Sequence, residues 1–94
     1  ELAFHDEGYF LLQGQPLALT PREQALLTVL MYRRLRPVSR QQLFEQVFSL
    51  SDEVSPESIE LYIHRLRKKL QGSDVRIATL RGLGYVLERS DEVG

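Results

Sequence analysis

The segment PESIELYIHRLRKKLQ, residues 56–71, decides how the rest of this sequence is interpreted. Its apolar residues recur at spacings of four, three and four, at Ile59, Ile63, Leu66 and Leu70. Side chains three and four residues apart lie on one face of an α-helix, so this spacing predicts a helix with a single buried stripe. Gly72 follows at the position where glycine commonly ends a helix. We therefore expect an amphipathic helix over residues 56–71.

The opposite side of this predicted helix is polar and basic. On a helical wheel with about 100° per residue, the far side and one flank carry Ser58, Leu61, Tyr62, Arg65, Lys68 and Lys69. Residues 61–81 contain six cations and one anion, whereas the whole chain has a formal net charge of −1. Such asymmetry is typical of a surface that binds a polyanion. Taken alone, the charge pattern also fits an ordinary solvent-exposed helix face.

Two further helices are predicted upstream. Thr20-Pro21-Arg22-Glu23 has the pattern of a capping box with proline at the first helical position, which predicts a helix over residues 21–35. Ser39-Arg40-Gln41-Gln42 is a second capping box and predicts a helix over residues 40–48. Residues 49–54 are predicted to form an acidic loop between the second and third helices.

The two ends of the chain have the composition of β-structure. Residues 2–19 are short apolar segments interrupted by glycine and proline, which predicts a small antiparallel sheet. Residues 75–88 predict a β-hairpin, in which Gly82 and Gly84 permit a tight reversal. The predicted fold is an α+β single domain over residues 1–94, and its order of sheet, three helices and hairpin is that of a winged helix-turn-helix.

The composition excludes several classes of function. The chain of 94 residues has no cysteine and two histidines, which excludes a disulfide framework, a cysteine–zinc site and a thiol nucleophile. We expect no metal site, no cofactor and no catalytic residue, because neither a catalytic triad nor a dinucleotide-binding glycine motif is present. No apolar run approaches the roughly 18 residues that span a membrane, and no signal peptide is recognisable, so we expect a cytoplasmic protein.

Three groups of residues resemble the OmpR/PhoB-type effector domain of bacterial two-component response regulators. The first is Leu19-Thr20-Pro21-x-Glu23 with Ala25-Leu26-Leu27 and Val38-Ser39-Arg40-x-x-Leu43. The second is Ile63-His64-Arg65-Leu66-Arg67-Lys68-Lys69-Leu70, and the third is Thr79-Leu80-Arg81-Gly82-Leu83-Gly84-Tyr85. The resemblance covers residues 2–88, and the third helix and hairpin are similar to the QseB/PmrA/TctD-like branch. It implies a four-stranded N-terminal sheet, three helices and a C-terminal hairpin, the wing.

The resemblance also implies sequence-specific binding to double-stranded DNA and control of transcription. The third helix would be a recognition helix in the major groove, while the wing would reach the minor groove. The residues near base edges or their flanking phosphates would be Ser58, Leu61, Tyr62 and Arg65. The residues nearer the DNA backbone would be His64, Arg67, Lys68, Thr79 and Tyr85. Arg81 at the tip of the wing would enter the minor groove, where the negative potential is enhanced.

Further partners follow from the same resemblance. The acidic loop, with Ser51, Asp52 and Glu53, would contact RNA polymerase. Two copies would bind direct repeats head to tail, as a monomer off DNA and a pair on it. Members of the family normally carry a phosphorylatable receiver domain that takes part in a phosphorelay, so this sequence is expected to be the effector half of such a regulator.

An alternative is a winged helix that serves only protein–protein contact. Such a module would not need several cations without acidic partners, at Arg65, Arg67, Lys68 and Arg81.

Two positions depart from the family pattern. Gln24 replaces a usual aromatic residue, so helix 1 is expected to pack less tightly on the N-terminal sheet. Glu57 is acidic where several members are basic or neutral, which argues against a phosphate contact at the start of the third helix.

Overall fold

The structure, a computed structural model, describes residues 2–5, 7–48 and 54–89. The elements follow in the order β1 (Leu2–His5), β2 (Tyr9–Leu12), β3 (Gln15–Pro16), α1 (Pro21–Tyr32), α2 (Arg40–Val47), α3 (Ser58–Leu70), β4 (Val75–Leu80) and β5 (Gly84–Arg89). Strands β1, β2 and β3 form one antiparallel sheet, and β4 and β5 form a hairpin. The predicted α+β class and element order are confirmed. None of the helices described has the length and hydropathy that crossing a bilayer requires.

The N-terminal sheet has three strands among the described residues, and the expectation of four is wrong. β1 pairs with β2, and β2 pairs with β3. β3 consists of two residues, Gln15 and Pro16, which lie opposite Leu12 and Leu11 of β2. The next residue, Leu17, donates its N–H to the carbonyl of Phe10 at 2.8 Å, after which the chain turns towards α1.

α1 begins as predicted and ends earlier. The Thr20 hydroxyl accepts a hydrogen bond from the N–H of Glu23, and the Glu23 carboxylate accepts one from the N–H of Thr20, which confirms the capping box. The helix stops at Tyr32, and the predicted end at residue 35 is wrong. The C-cap is Arg33, and beyond it Leu35 has a φ of 67° and donates its N–H to the carbonyl of Leu87 at 3.4 Å.

Gln24 links α1 to the N-terminal sheet by a polar contact. Its side-chain amide donates a hydrogen bond to the carbonyl of Gly8, in the turn between β1 and β2. A hydrogen bond therefore stands where the family's usual aromatic residue would make an apolar contact.

The remaining helices differ from the predicted bounds by one or two residues. The capping box of Ser39 and Gln42 is confirmed, and α2 ends at Val47 instead of residue 48. α3 begins at Ser58 instead of residue 56, because the first two positions form a turn in which the carbonyl of Ser55 accepts from the N–H of Ser58. It ends at Leu70, one residue before the predicted end. The hairpin extends to residue 89, one residue beyond the prediction.

The core is built around the apolar stripe of α3. The four stripe residues are each at most 2% exposed: Ile59, Ile63, Leu66 and Leu70. They belong to a cluster that joins α1, α2, the N-terminal sheet and the hairpin, with buried partners that include Leu26, Leu30, Leu43, Phe10, Ile77 and Leu87. The predicted stripe is confirmed, and its burial directs the opposite side of α3 outward.

An ion pair between a partly exposed lysine and a buried glutamate joins the end of α3 to the start of α1. The Glu23 side chain is 2% exposed and lies 2.6 Å from the ammonium of Lys69, which also donates to the carbonyl of Ala18 at 2.9 Å. Burial raises the pKa of Glu23, but the hydrogen bonds from Lys69 and from the N–H of Thr20 outweigh it and hold that pKa below its ordinary value. Lys69 therefore serves the fold and not the exposed face of α3.

Replacing Lys69 with methionine tests this role. Because the pKa of Glu23 is lowered on folding, the pair stabilises the protein above the ordinary pKa of 4.5 and ceases to do so as the pH falls through the folded value. At neutral pH, Lys69→Met leaves a buried carboxylate without its cation. We expect the free energy of unfolding in urea to fall by about 1–3 kcal/mol, and the difference to shrink in acid.

Lys68→Met is the matched control, since it removes the same charge from the exposed neighbouring position. Its effect on the free energy of unfolding should stay within about 0.5 kcal/mol. Equal losses in the two variants at neutral pH would show that the ion pair contributes nothing specific.

Candidate nucleic-acid interface

The side of α3 opposite the buried stripe is open to solvent. His64, Arg65 and Lys68 are exposed, and Leu61 exposes 50% of its surface. Ser58 in the first turn is half-buried, and its hydroxyl donates to the carbonyl of Ser55 at 2.7 Å. This mixture matches what the major groove offers, because thymine methyl groups lie there beside hydrogen-bond acceptors, with phosphates along the edges. The structure thus brings five of the predicted DNA-contacting residues to one exposed face.

Tyr62 lies at the edge of this face and partly within the core. Its ring centroid is 5.7 Å from that of Phe48, and the guanidinium carbon of Arg65 lies 5.6 Å from the Tyr62 centroid. At this distance the cation is attracted by the face of the ring, which restricts the conformations of Arg65. Tyr62 therefore supports the arginine that the sequence predicts to read bases.

The wing places a second set of predicted residues beside α3. Arg81 is exposed at the tip of the hairpin, Thr79 is exposed on β4, and Tyr85 is half-buried on β5. Burial raises the pKa of Tyr85, and the nearby carboxylate of Glu60 raises it further. The phenol keeps its proton at neutral pH and can donate a hydrogen bond to an anion.

Arg67 joins these two sets of residues. Its Nε donates to the carbonyl of Ile77 at 2.9 Å, and its Nη2 donates to the hydroxyl of Thr79 at 2.6 Å. Both acceptors lie on β4 and both are uncharged, so these bonds orient the guanidinium without neutralising it. The resemblance implies that Arg67 lies near the DNA backbone, and no sequence signal indicates that β4 lies against this flank of α3.

Gly84 and Val38 attach the wing to the body of the domain. Val38 and Tyr85 exchange two backbone hydrogen bonds of 2.8 Å each, an isolated bridge that sequence reasoning missed. Gly84 has a φ of +123°, and a Cβ there would lie 2.2 Å from the carbonyl oxygen of Val38. The Gly84 backbone can approach this closely only without a side chain. The sequence explained this glycine by the turn alone.

The start of α3 carries negative charge. The carboxylate of Glu60 lies 2.6 Å from the guanidinium of Arg40, and both side chains are exposed. They line an open cleft of about 450 Å³ between the wing and the first turns of α2 and α3. A hydrogen bond from the Ser55 hydroxyl lowers the pKa of the exposed Glu57, so this carboxylate is ionised at neutral pH. The basic part of α3 therefore begins at Arg65, more than one turn after Glu60.

The predicted polymerase-contacting residues, Ser51, Asp52 and Glu53, lie outside the described residues. The structure describes the positions of the other predicted residues. Their contacts with DNA remain predictions.

Comparison with known proteins identifies the domain. Residues 14–87 match the family model described as transcriptional regulatory protein, C terminal. The chain belongs to this family. TctD, a transcriptional regulatory protein of Salmonella typhimurium strain LT2, is 95% identical over 94 residues, which are 100% of this chain and 42% of TctD. This chain therefore spans less than half the length of that family member, and the resemblance read from the sequence is confirmed.

Solved structures of family domains share the fold. The DNA-binding domain of CpxR from Escherichia coli is 32% identical, with a TM-score of 0.74 over 92% of this chain and 88% of that one. The DNA-binding domain of the response regulator AdeR, solved with an intercistronic region, has a TM-score of 0.81 over 94% of each chain. At 20% identity the likeness to AdeR is one of fold. These likenesses confirm the winged helix-turn-helix.

The two glycines of the wing should respond differently to the same substitution. Gly84→Ala adds a Cβ that overlaps the Val38 carbonyl at a positive φ, so we expect the free energy of unfolding to fall by about 2–5 kcal/mol. Gly82 also has a positive φ, but nothing lies within 4 Å of an added Cβ, and Gly82→Ala should cost about 1–2 kcal/mol. Urea denaturation measures both values. Equal losses in the free energy of unfolding would show that the Gly84 backbone can move away from the Val38 carbonyl without a further loss of stability.

Proposed function

We propose that this domain binds double-stranded DNA with sequence specificity and controls transcription, as the effector domain of a two-component response regulator. It acts as a binding module and not as an enzyme. The observation that carries the proposal is the exposed α3 face with Arg65 and Lys68, adjacent to a wing with Arg81 at its tip. Membership of a family of transcriptional regulators supports the same conclusion.

α3 is the reading element in this proposal. Its 13 residues would extend about 20 Å, and the roughly 12 Å width of the major groove admits an α-helix. Arg65 can pair bidentately with guanine, and Leu61 can contact a thymine methyl group. Ser58 and Tyr62 flank these side chains. His64 and Lys68 lie on the outer part of the face, from which they reach phosphates.

The wing supplies the second set of contacts. Arg81 inserts into the minor groove, where the electrostatic potential is most negative when the groove is narrow. The hydroxyls of Thr79 and Tyr85 donate to phosphates. Phosphate contacts set the register of a protein on DNA, whereas base contacts supply specificity. The wing therefore positions α3 and adds shape recognition.

The same proposal extends to assembly and partners. One helix and one wing read only a few base pairs, too few to locate a site among genomic competitors. We infer that the domain is a monomer off DNA and binds direct repeats as a head-to-tail pair. We infer that the domain belongs to a longer regulator with a receiver domain and acts in the cytoplasm. This chain spans 42% of TctD, which supports the greater length. Ser51, Asp52 and Glu53 are the proposed contact with RNA polymerase.

Substitution of the two exposed arginines separates binding from folding. Arg65→Ala and Arg81→Ala should each weaken binding to a duplex selected from a random pool by about 1–3 kcal/mol, with little change in the melting temperature. Leu66→Ala, in the buried stripe, should lower the free energy of unfolding by about 2–5 kcal/mol. Unchanged affinity in both arginine variants would exclude the proposed interface.

The salt dependence of affinity distinguishes DNA binding from a protein-interaction module. If about five phosphates are neutralised per domain, the logarithm of the association constant should fall against the logarithm of salt concentration with a slope of about −4 to −5. Fluorescence anisotropy on a labelled duplex measures this slope. A flat dependence would favour the alternative of a winged helix that contacts only protein.

The spacing of repeats tests the head-to-tail pair. Repeat centres on one face of DNA lie about 10–10.5 base pairs apart. Insertion of about half a helical turn, roughly five base pairs, between two repeats should abolish cooperative binding, because it moves the second site to the opposite face. Titration of both duplexes measures the cooperativity. Equal cooperativity would rule out a direct contact between copies and leave single-site recognition intact.

A further inference from the structure

The guanidinium of Arg67 bridges the recognition helix and the first strand of the wing. Nε bonds to the carbonyl of Ile77, and Nη2 bonds to the hydroxyl oxygen of Thr79. The two acceptors are on one strand and two residues apart, so the planar guanidinium holds β4 at two points. A side chain that only reached outward for phosphate would not make these bonds.

The location of these bonds along β4 gives them a role. Val75 and Ile77 are buried in the core, whereas Thr79 and Leu80 are exposed. Core packing therefore holds the first half of the strand, and the bond to Thr79 lies where core packing has ended. On the partner strand, the bridge of Tyr85 with Val38 serves the same purpose. Each strand of the wing thus has one polar attachment beyond the core.

The bond to Thr79 also determines what that hydroxyl can do. A threonine oxygen has two acceptor positions and one O–H. Arg67 can only donate, so its bond occupies an acceptor position and the O–H of Thr79 points elsewhere. Thr79 is exposed, so this proton is available to an approaching anion. A charged donor also polarises the hydroxyl and strengthens the hydrogen bond that it donates.

We propose that Arg67 acts on DNA through Thr79, as a positioning residue that orients the Thr79 hydroxyl towards a phosphate and holds the wing against α3. This rests on the proposed function, and it replaces the prediction that Arg67 itself contacts the DNA backbone. The rival arrangement is a direct contact, in which the N–H groups of Arg67 not bonded to β4 meet a phosphate of their own.

A double-mutant cycle distinguishes the two arrangements. We expect Arg67→Gln and Thr79→Val each to weaken binding to the selected duplex about tenfold, the loss of one hydrogen bond to a charged group. If Arg67 acts through Thr79, the double variant binds about tenfold more weakly than the wild type and not about a hundredfold. Multiplied effects, near a hundredfold, would overturn the proposal in favour of a direct contact.

Conservative variants supply a second measurement. Thr79→Ser keeps the hydroxyl, and we expect it to restore most of the affinity that Thr79→Val loses. Arg67→Lys keeps the charge but cannot bond to both acceptors in the same geometry, so it should bind nearly as weakly as Arg67→Gln. Full affinity in Arg67→Lys would overturn the proposal, because an ammonium neutralises a phosphate equally well. Melting temperatures establish that each variant is folded before its affinity is compared.

The same titrations separate this inference from the proposed function. Wild-type protein that binds no duplex would overturn both. Wild-type binding that is lost in Arg65→Ala, together with independent effects of Arg67 and Thr79, would overturn only the role of Arg67. Wild-type binding with coupled effects of Arg67 and Thr79, and no rescue by lysine, is the result that we expect.

Discussion

Burial of one stripe of α3 is the constraint on which the rest of the domain depends. Each of the four stripe side chains contributes about 1.5–3 kcal/mol by leaving water, and together they fix the rotation of the helix about its axis. The flanks are then held by different chemistry. Lys69 pairs with the buried Glu23 of α1 on one side, and Arg67 bonds to β4 on the other. The buried stripe, the Lys69 pair and the Arg67 bonds occupy three sides of α3, and the remaining side is the exposed face.

The cations of residues 61–81 therefore do not share one purpose, although the sequence presents them as a single basic region. Lys69 pairs with the buried Glu23 of α1, and Arg67 bonds to Thr79 on β4 of the wing. Arg76 pairs with Glu88 across the hairpin at 2.9 Å. Arg67 keeps its charge because both of its acceptors are neutral, so the positive charge on the exposed surface comes from Arg65, Arg67, Lys68 and Arg81. A count of basic residues overstates the DNA-facing charge of such a domain, because Lys69 and Arg76 are paired with carboxylates.

The features predicted correctly from the sequence are local ones. A capping box needs four consecutive residues, and the α3 stripe needs one regular spacing, so both could be identified from the sequence alone. The segment that follows α1 is held by a distant contact, because the N–H of Leu35 bonds to the carbonyl of Leu87, 52 residues further along the chain. The partners of Arg67 and the approach of Gly84 to Val38 are likewise contacts between distant segments. Spacing and composition carry no information about such contacts, and the resemblance that implies a backbone contact for Arg67 carries none about its bonds to β4.

The bridge between Val38 and Tyr85 has a consequence for the thermodynamics of DNA recognition. Val38 immediately precedes the cap of α2, so the wing and the helix-turn-helix share a pair of backbone hydrogen bonds. A hairpin attached in this way is already ordered before it meets a ligand. Ordering a loop on binding consumes conformational entropy, at about 1–2 kcal/mol for each backbone residue fixed. A preorganised wing avoids most of that cost, so the contacts proposed for it with DNA would contribute to affinity almost in full.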